Sequence, residues 1–174
     1  MRVFYSFHLP EHAAEMILRD VASRFDIVPY PKGNLHVTLR FIGEAEESKL
    51  TELCRIGEEV AARVPAISFV AQSMNAERNG RLKLELTSES ALYELHADLD
   101  EALEGAGISL KPQVFSPHVT LGRFNGAIDL TRLSPQDLIR YKFTLHEFGL
   151  YQSEPGEDKV GLYKLLKEFP LLGN

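Results

Sequence analysis

A four-residue sequence that occurs twice constrains this chain more than any other feature. His36-Val37-Thr38-Leu39 lies in the first half, and His118-Val119-Thr120-Leu121 lies in the second. The stretch around each copy alternates apolar and polar residues, which is typical of a β-strand. In a strand, the His and the Thr of one copy lie on the same face, about 6.5–7 Å apart. The chain must therefore place two equivalent His-Thr pairs on two separate strands.

The residues around each copy predict the same order of elements. The pattern strand, helix, H-x-T strand, helix, strand runs from residue 2 to about 74 and again from about 81 to 151, with one strand left over. The two halves differ in sequence outside the motif, which indicates a topological duplication and not a solenoid. Two similar lobes that face each other across a cleft would each present one H-x-T strand to that cleft.

The charge distribution favours a local anion site over a broad nucleic-acid-binding surface. The net charge is −6, whereas an extended nucleic-acid surface needs an excess of Lys and Arg. Two stretches, 27–43 and 105–128, nevertheless contain no Asp or Glu, and each includes one copy of the motif. Their basic residues are Lys32, Arg40, Lys111 and Arg123. This distribution fits a phosphate-binding site on an acidic protein.

The sequence offers no sign of a membrane segment or of a disulfide. No apolar run approaches 18 residues, and Met1 to Pro10 lacks the apolar region and cleavage site of a signal peptide. We therefore expect a cytoplasmic protein with no membrane partner. Cys54 is the single cysteine and cannot form an internal disulfide, so we expect it to be a small buried residue on a helix.

Two His-Thr pairs across a cleft suit an in-line displacement at phosphorus. Imidazole titrates near neutral pH, so one His can remove a proton from an attacking water while the other protonates the leaving oxygen. The hydroxyls of Thr38 and Thr120 can hold the non-bridging oxygens, where negative charge builds up. Because the two motifs are alike, the residues alone do not decide which of His36 and His118 takes which role.

Other interpretations of the motif remain open at this point. Each pair could be a hydrogen-bonded polar patch without chemistry, and a zinc site would need further ligands that neither motif supplies nearby. No G-x-S-x-G stretch supports a nucleophilic triad. The remaining histidines, His8, His12, His96 and His146, are predicted to be structural.

Two arginines near the motifs are possible substrate contacts or, equally, surface charges. Arg40 shares the face of His36 by alternation, so it could reach a phosphate. Arg123 should point away from His118 on a regular strand, although Gly122 could allow a bulge that turns it back. Two aromatic residues, Phe41 and Phe115, could stack on a base, but core packing is the simpler prediction.

Longer matching segments give the chain a family resemblance. They comprise Arg2-Val3-Phe4 with Leu9-Pro10, the run from Asn34 to Glu44, the run from Phe115 to Arg123, Leu150 to Ser153, and Tyr163 to Leu171. In these segments the chain resembles the two-histidine (2H) phosphoesterase superfamily. Within it, the chain is most similar to the RNA 2′,3′-cyclic phosphodiesterase family, historically named 2′-5′ RNA ligase.

The resemblance implies both a fold and an activity. The fold is α+β and bilobal, with two pseudo-symmetric lobes of mainly antiparallel sheet and outer helices around a central cleft. Residues 1–174 would form a single domain of two intertwined lobes, each contributing one H-x-T strand. The activity is hydrolysis of RNA 2′,3′-cyclic phosphate ends to 2′-phosphate ends, with His36 as proton donor and His118 as proton acceptor. The family uses no metal or nucleotide cofactor.

The resemblance also implies partners and alternatives. The expected partners are RNA ends or nucleotides that carry a 2′,3′-cyclic phosphate, and the expected oligomeric state is a monomer. A reverse reaction would join tRNA half-molecules through 2′,5′ linkages. The alternatives are a phosphodiesterase for other 2′,5′-linked or small cyclic phosphates, or a non-catalytic nucleotide-binding module. One departure from relatives is the segment 80–87, where Lys83 and Glu85 stand at positions that tend to be more apolar.

Overall fold

The computed structural model describes residues 1–155 and 161–173, which form nine strands and four α-helices. In chain order they are β1 (Arg2–His8), α1 (Glu11–Arg24), β2 (Val28–Pro29), β3 (His36–Glu44), α2 (Leu50–Ala61), β4 (Ile67–Ala76), β5 (Arg81–Ser88), α3 (Ser90–Gly105), β6 (His118–Arg123), α4 (Pro135–Ile139), β7 (Lys142–Leu145), β8 (Glu147–Glu154) and β9 (Leu162–Pro170).

The strands form two antiparallel sheets. The four-stranded sheet has the order β3-β1-β8-β9, and the five-stranded sheet has the order β2-β6-β5-β4-β7. The duplicated order is present as β1-α1-β3-α2-β4 and β5-α3-β6-α4-β7. Strand β4 comes from the first half of the chain but pairs with β5 and β7 of the second half. The prediction of an α+β fold with mainly antiparallel sheets is confirmed.

The sequence predicts a single strand over 143–151 as part of a last strand pair, and the prediction of a single strand is wrong. That segment contains two strands, because β7 pairs with β4 in one sheet and β8 pairs with β1 in the other. His146, between the two strands, and Glu147, the first residue of β8, are both exposed, so the alternation of buried and exposed residues breaks and the chain crosses to the second sheet. The sequence also predicts a link between the last two strands at 153–158, which lies partly outside the described residues, and the last described strand begins at Leu162.

Both motif strands bulge at the same place, directly after the Thr. In the β1–β3 pair the register passes from Thr38 to Arg40, which leaves Leu39 as the extra residue. In the β5–β6 pair it passes from Thr120 to Gly122, which leaves Leu121 as the extra residue. A bulge bends a strand and redirects the side chains that follow it. The alternation predicted beyond each motif therefore does not hold.

Helix α2 holds the four-stranded sheet from behind. The buried Tyr5 of β1 donates a hydrogen bond from its hydroxyl to the Leu53 carbonyl at 2.8 Å. Gly57 faces the ring of Phe169 on β9, and a Cβ at that position would lie 2.5 Å from the ring. This close approach requires glycine, and it fixes α2 against the sheet that carries β3.

Candidate active site

Residues from both sheets line one cleft, and all four residues of the two His-Thr pairs are among them. Strand β3 lies at the edge of the four-stranded sheet and contacts β6 of the five-stranded sheet. The cavity between them has a volume of about 800 Å³. Its walls include His36, Thr38, His118 and Thr120. The structure therefore brings the two motifs together, as the duplicated topology requires.

The two imidazoles are anchored in the same way. The Nδ1 of His36 lies 2.6 Å from the Asn34 carbonyl oxygen, and the Nδ1 of His118 lies 2.8 Å from the Ser116 carbonyl oxygen. A carbonyl only accepts, so each Nδ1 carries the proton and donates it. Each ring is thus held by the backbone two residues earlier, and Nε2 remains as the nitrogen that can give or take a proton.

The surroundings of His36 are aromatic. The ring of Tyr163 meets it edge-on at 4.9 Å between centroids, and Phe4 lies at 5.6 Å. Burial lowers the pKa of His36 most strongly, the hydrogen bond to Asn34 raises it, and the nearby His118 lowers it further. The charged form of His36 is therefore disfavoured until an anion enters the cleft.

His8 lies directly beside His36, a contact that the sequence does not predict, although His8 is not among the residues that line the cleft. It pairs with His36 across the β1–β3 ladder, and its ring is stacked on that imidazole at 5.3 Å and tilted against Tyr151 at 4.0 Å. Burial, with a smaller effect of His36, lowers the pKa of His8 to about 3. His8 is thus neutral at physiological pH and acts as a packing partner of the motif histidine.

The cleft is basic on an acidic protein. Within the described part of the chain its lining includes no Asp or Glu but five basic residues, Arg2, Arg40, Arg81, Lys83 and Lys111. The acid-free stretches pointed to Arg40 and Lys111. Lys32 instead forms ion pairs with Glu11 and Glu15 of α1. Arg2, Arg81 and Lys83 lie outside those stretches, and only the folded arrangement reveals them.

Arg40 lines the cleft but is held by the protein itself. Its side chain is 5% exposed, its Nε lies 3.0 Å from Asp100 of α3, and its Nη1 donates to Gln113 at 2.7 Å. Phe41 next to it is 56% exposed and lines the cleft, because the bulge turns it away from the buried face of Val37. Strict alternation along the strand predicts Phe41 on the same face as Val37 and Leu39, and this prediction is wrong.

Arg123 is half-buried at the end of β6 and is not among the residues that line the cleft. Gly122 before it packs directly against β2, and a Cβ there would lie 2.4 Å from the Val28 carbonyl oxygen.

Phe115 stacks on His96 of α3 at 4.3 Å, which places it in packing contact with that helix. Cys54 is partly buried on α2, and burial raises the pKa of its thiol.

Over residues 1–155 and 161–173, no three or more His, Cys, Asp or Glu side chains are grouped in a way that could hold a metal ion. In the same ranges, no helix has the length and apolar character needed to cross a membrane.

Comparisons with known proteins agree with this architecture. An RNA 2′,3′-cyclic phosphodiesterase from Geobacillus stearothermophilus is 30% identical over 145 residues, which cover 79% of this chain and 46% of that protein. This chain thus matches about half the length of that relative. A protein of the same name from Methanocaldococcus jannaschii is 25% identical over 166 residues, which cover 94% of this chain and 91% of that protein.

A solved structure and a family model also match this chain. The structure of E. coli LigT in its apo form superposes with a TM-score of 0.80 at 25% identity, and the match covers 98% of this chain and 97% of LigT. The model of the 2′-5′ RNA ligase superfamily matches residues 9–157. The chain therefore belongs to the 2′-5′ RNA ligase superfamily.

Proposed function

We propose that this protein hydrolyses 2′,3′-cyclic phosphate ends of RNA to 2′-phosphate ends by acid–base catalysis from His36 and His118. The observation that carries the proposal is the convergence of two backbone-anchored imidazoles on one cleft lined by cations. An imidazole with Nδ1 committed to a carbonyl presents Nε2 for proton transfer. Two such groups are what an in-line displacement requires, one for the entering oxygen and one for the leaving oxygen.

The reaction begins when a water molecule attacks phosphorus from the side opposite the 3′ oxygen. His118 takes a proton from that water at Nε2 as the new P–O bond forms, and the P–O3′ bond breaks on the far side. The imidazolium of His36 donates its Nε2 proton to the departing 3′ oxygen. The products are a 2′-phosphate and a free 3′-hydroxyl, and exchange with solvent resets both rings. Thr38 and Thr120 donate hydrogen bonds to the non-bridging oxygens.

The assignment of donor and acceptor follows the family resemblance. The buried surroundings of His36 lower its pKa in the empty cleft. A bound phosphate supplies a negative charge that favours the imidazolium, so the substrate itself helps to protonate the donor. His118 acts as the proton acceptor in this scheme.

The basic lining supports RNA as the substrate class. Arg2, Arg81 and Lys111 line the cleft and have no ion pair with a described carboxylate within 4.0 Å. A mononucleotide cyclic phosphate carries one negative charge, whereas an RNA strand brings further phosphates that these side chains can bind. We further propose that residues 1–174 act as one cytoplasmic monomer, and that 2′,5′ ligation is a minor reverse reaction because water is in excess.

Product analysis on a defined RNA tests this proposal. An oligonucleotide ending in a 2′,3′-cyclic phosphate is incubated with the protein and excess EDTA in H₂¹⁸O. We expect complete conversion to a 2′-phosphate that carries one ¹⁸O atom, identified by mass spectrometry and ³¹P NMR. Release of a 3′-phosphate, or loss of all activity in EDTA, would contradict the mechanism.

A substrate panel separates the alternatives. Turnover of 2′,5′-linked oligonucleotides or of small cyclic phosphates in preference to RNA ends would favour a related phosphodiesterase. Binding of a nucleoside monophosphate without turnover of any cyclic phosphate would instead identify a nucleotide-binding module.

A further inference from the structure

We propose that the ammonium group of Lys83 contacts a non-bridging oxygen of the phosphate held between His36 and His118. This inference rests on the proposed phosphodiesterase function and adds a substrate contact that lies in neither motif. Lys83 is on β5, and its side chain lines the cleft.

The β5–β6 ladder places Lys83 beside the second motif. Lys83 pairs directly with Thr120, and the adjacent pairs are Leu84 with Val119 and Glu85 with His118. Directly opposed residues of an antiparallel pair have their Cβ atoms about 4.5–5.5 Å apart on the same face. Lys83 therefore extends from the same patch of sheet as the hydroxyl proposed to bind the phosphate.

The ammonium group of Lys83 is only weakly engaged within the protein. Its nearest carboxylate oxygen, on Glu85, is 3.9 Å away, too far for a hydrogen bond. Glu85 also accepts a hydrogen bond from the Ser73 hydroxyl at 2.9 Å, which holds the carboxylate on the β4 side. The Lys83 side chain is 19% exposed, so a charge placed there is partly desolvated and acts strongly on an anion.

The other cations near the motifs are less well placed. Arg40 is committed to Asp100 and Gln113, and Arg123 is not part of the lining. Arg81 lies two residues before Lys83 and pairs with Arg123 instead of Thr120.

The first lobe supplies no equivalent charge. There the residue opposite Thr38 is Ser6, whose hydroxyl is buried and donates to the Val37 carbonyl. Lys83 therefore has no counterpart opposite Thr38, and a cation is paired with a motif threonine in the lobe of His118 but not in that of His36.

Charge on the non-bridging oxygens increases in the transition state, so a cation aimed at them accelerates the reaction. Removal of one such donor typically reduces kcat by about 10²–10³-fold. Because Lys83 is partly exposed, we expect Lys83→Met to lower kcat/KM by about 10²-fold, mainly through kcat. Lys83→Arg keeps the charge and should recover at least a tenth of the wild-type rate.

The test measures kcat and KM on a 2′,3′-cyclic mononucleotide, which excludes contacts with an RNA strand, together with inhibition by inorganic phosphate. Lys142→Met is the matched control, because Lys142 is exposed on β7 of the same sheet and does not line the cleft. We expect weaker phosphate inhibition in Lys83→Met and no change in Lys142→Met. Lys83→Gln replaces Lys83→Met if thermal unfolding shows that the latter does not fold.

The outcomes separate this inference from the proposed function. An active wild type with Lys83→Met within twofold of it, in both kcat/KM and phosphate inhibition, would overturn the role of Lys83 alone. A wild type that binds phosphate but hydrolyses no cyclic phosphate would overturn the proposed function. In that case the phosphate titration still decides whether Lys83 contacts the anion.

Discussion

The ion pair between Arg40 and Asp100 should stabilise the fold, and Asp100→Asn tests this. The substitution keeps the shape of the side chain but removes the carboxylate that lies 3.0 Å from a guanidinium with 5% exposure. Loss of one partner of a buried pair costs about 3–5 kcal/mol. Asp100 is 25% exposed and the Gln113 contact remains, so we reduce the expected cost to about 2–3 kcal/mol. For a chain of this length, that cost corresponds to a Tm lower by about 5–10 °C.

Urea unfolding followed by circular dichroism at pH 7 measures this cost. Asp98→Asn, on the same helix, is the control and should change the unfolding free energy by less than about 0.5 kcal/mol. The double variant Arg40→Met/Asp100→Asn removes both charges, so it should recover much of the loss. If Asp100→Asn were as stable as the wild type, or if the two single effects simply added, Arg40 would not be an ion-paired structural residue.

Three further predictions concern pH and salt. Burial lowers the pKa of His8 to about 3, so between about pH 6.5 and pH 3 the unfolded chain binds a proton that the folded protein does not. The free energy of unfolding therefore decreases as the pH is lowered through that window. The variant His8→Phe should avoid about 2 kcal/mol of this loss between pH 7 and pH 5, and an unchanged loss in urea unfolding would contradict the burial argument. Tyr163→Ser exposes His36 to water and should move the acidic limb of kcat/KM to higher pH, whereas a shift to lower pH would argue against desolvation as the cause. For an RNA end, log(kcat/KM) should decrease with log[salt] with a slope of about −2 if the cleft contacts about three phosphates. A cyclic mononucleotide should show a much smaller slope, and equal slopes for the two substrates would exclude contacts with the RNA strand.

The sequence predicted the duplicated order of elements and the meeting of His36, Thr38, His118 and Thr120 in one cleft. Both follow from local pattern, because the repeat places each pair on equivalent strands. The sequence did not predict the bulge at Leu39, and it suggested a bulge in β6 only through Gly122, whereas the extra residue there is Leu121. The bulge at Leu39 decides where Arg40 and Phe41 lie.

The basic lining of the cleft was predictable only in part. Arg2 and Lys83 come from β1 and β5, and they reach the cleft because each strand pairs beside a motif strand. That pairing is a long-range property, which a single sequence does not display. His8 illustrates the same limit, because its contact with His36 depends on the register of β1 against β3. The break between β7 and β8 was not predicted, because apolar residues continue on both sides of His146 and Glu147.

The pH dependence of kcat/KM in excess EDTA tests the pair of imidazoles most directly. The profile reports the pKa values of the essential acid and base of the free enzyme, so the wild type should give a bell-shaped curve. The acidic limb of that curve should lie below pH 6.5, because burial lowers the pKa of His36. The variants His36→Ala and His118→Ala should each lack one limb of the profile, and their rates should be about 10²–10⁴-fold lower than that of the wild type. The control His12→Ala, on the exposed face of α1, should match the wild type. A flat profile, or a His118→Ala variant as active as the wild type, would contradict acid–base catalysis by the two motif histidines.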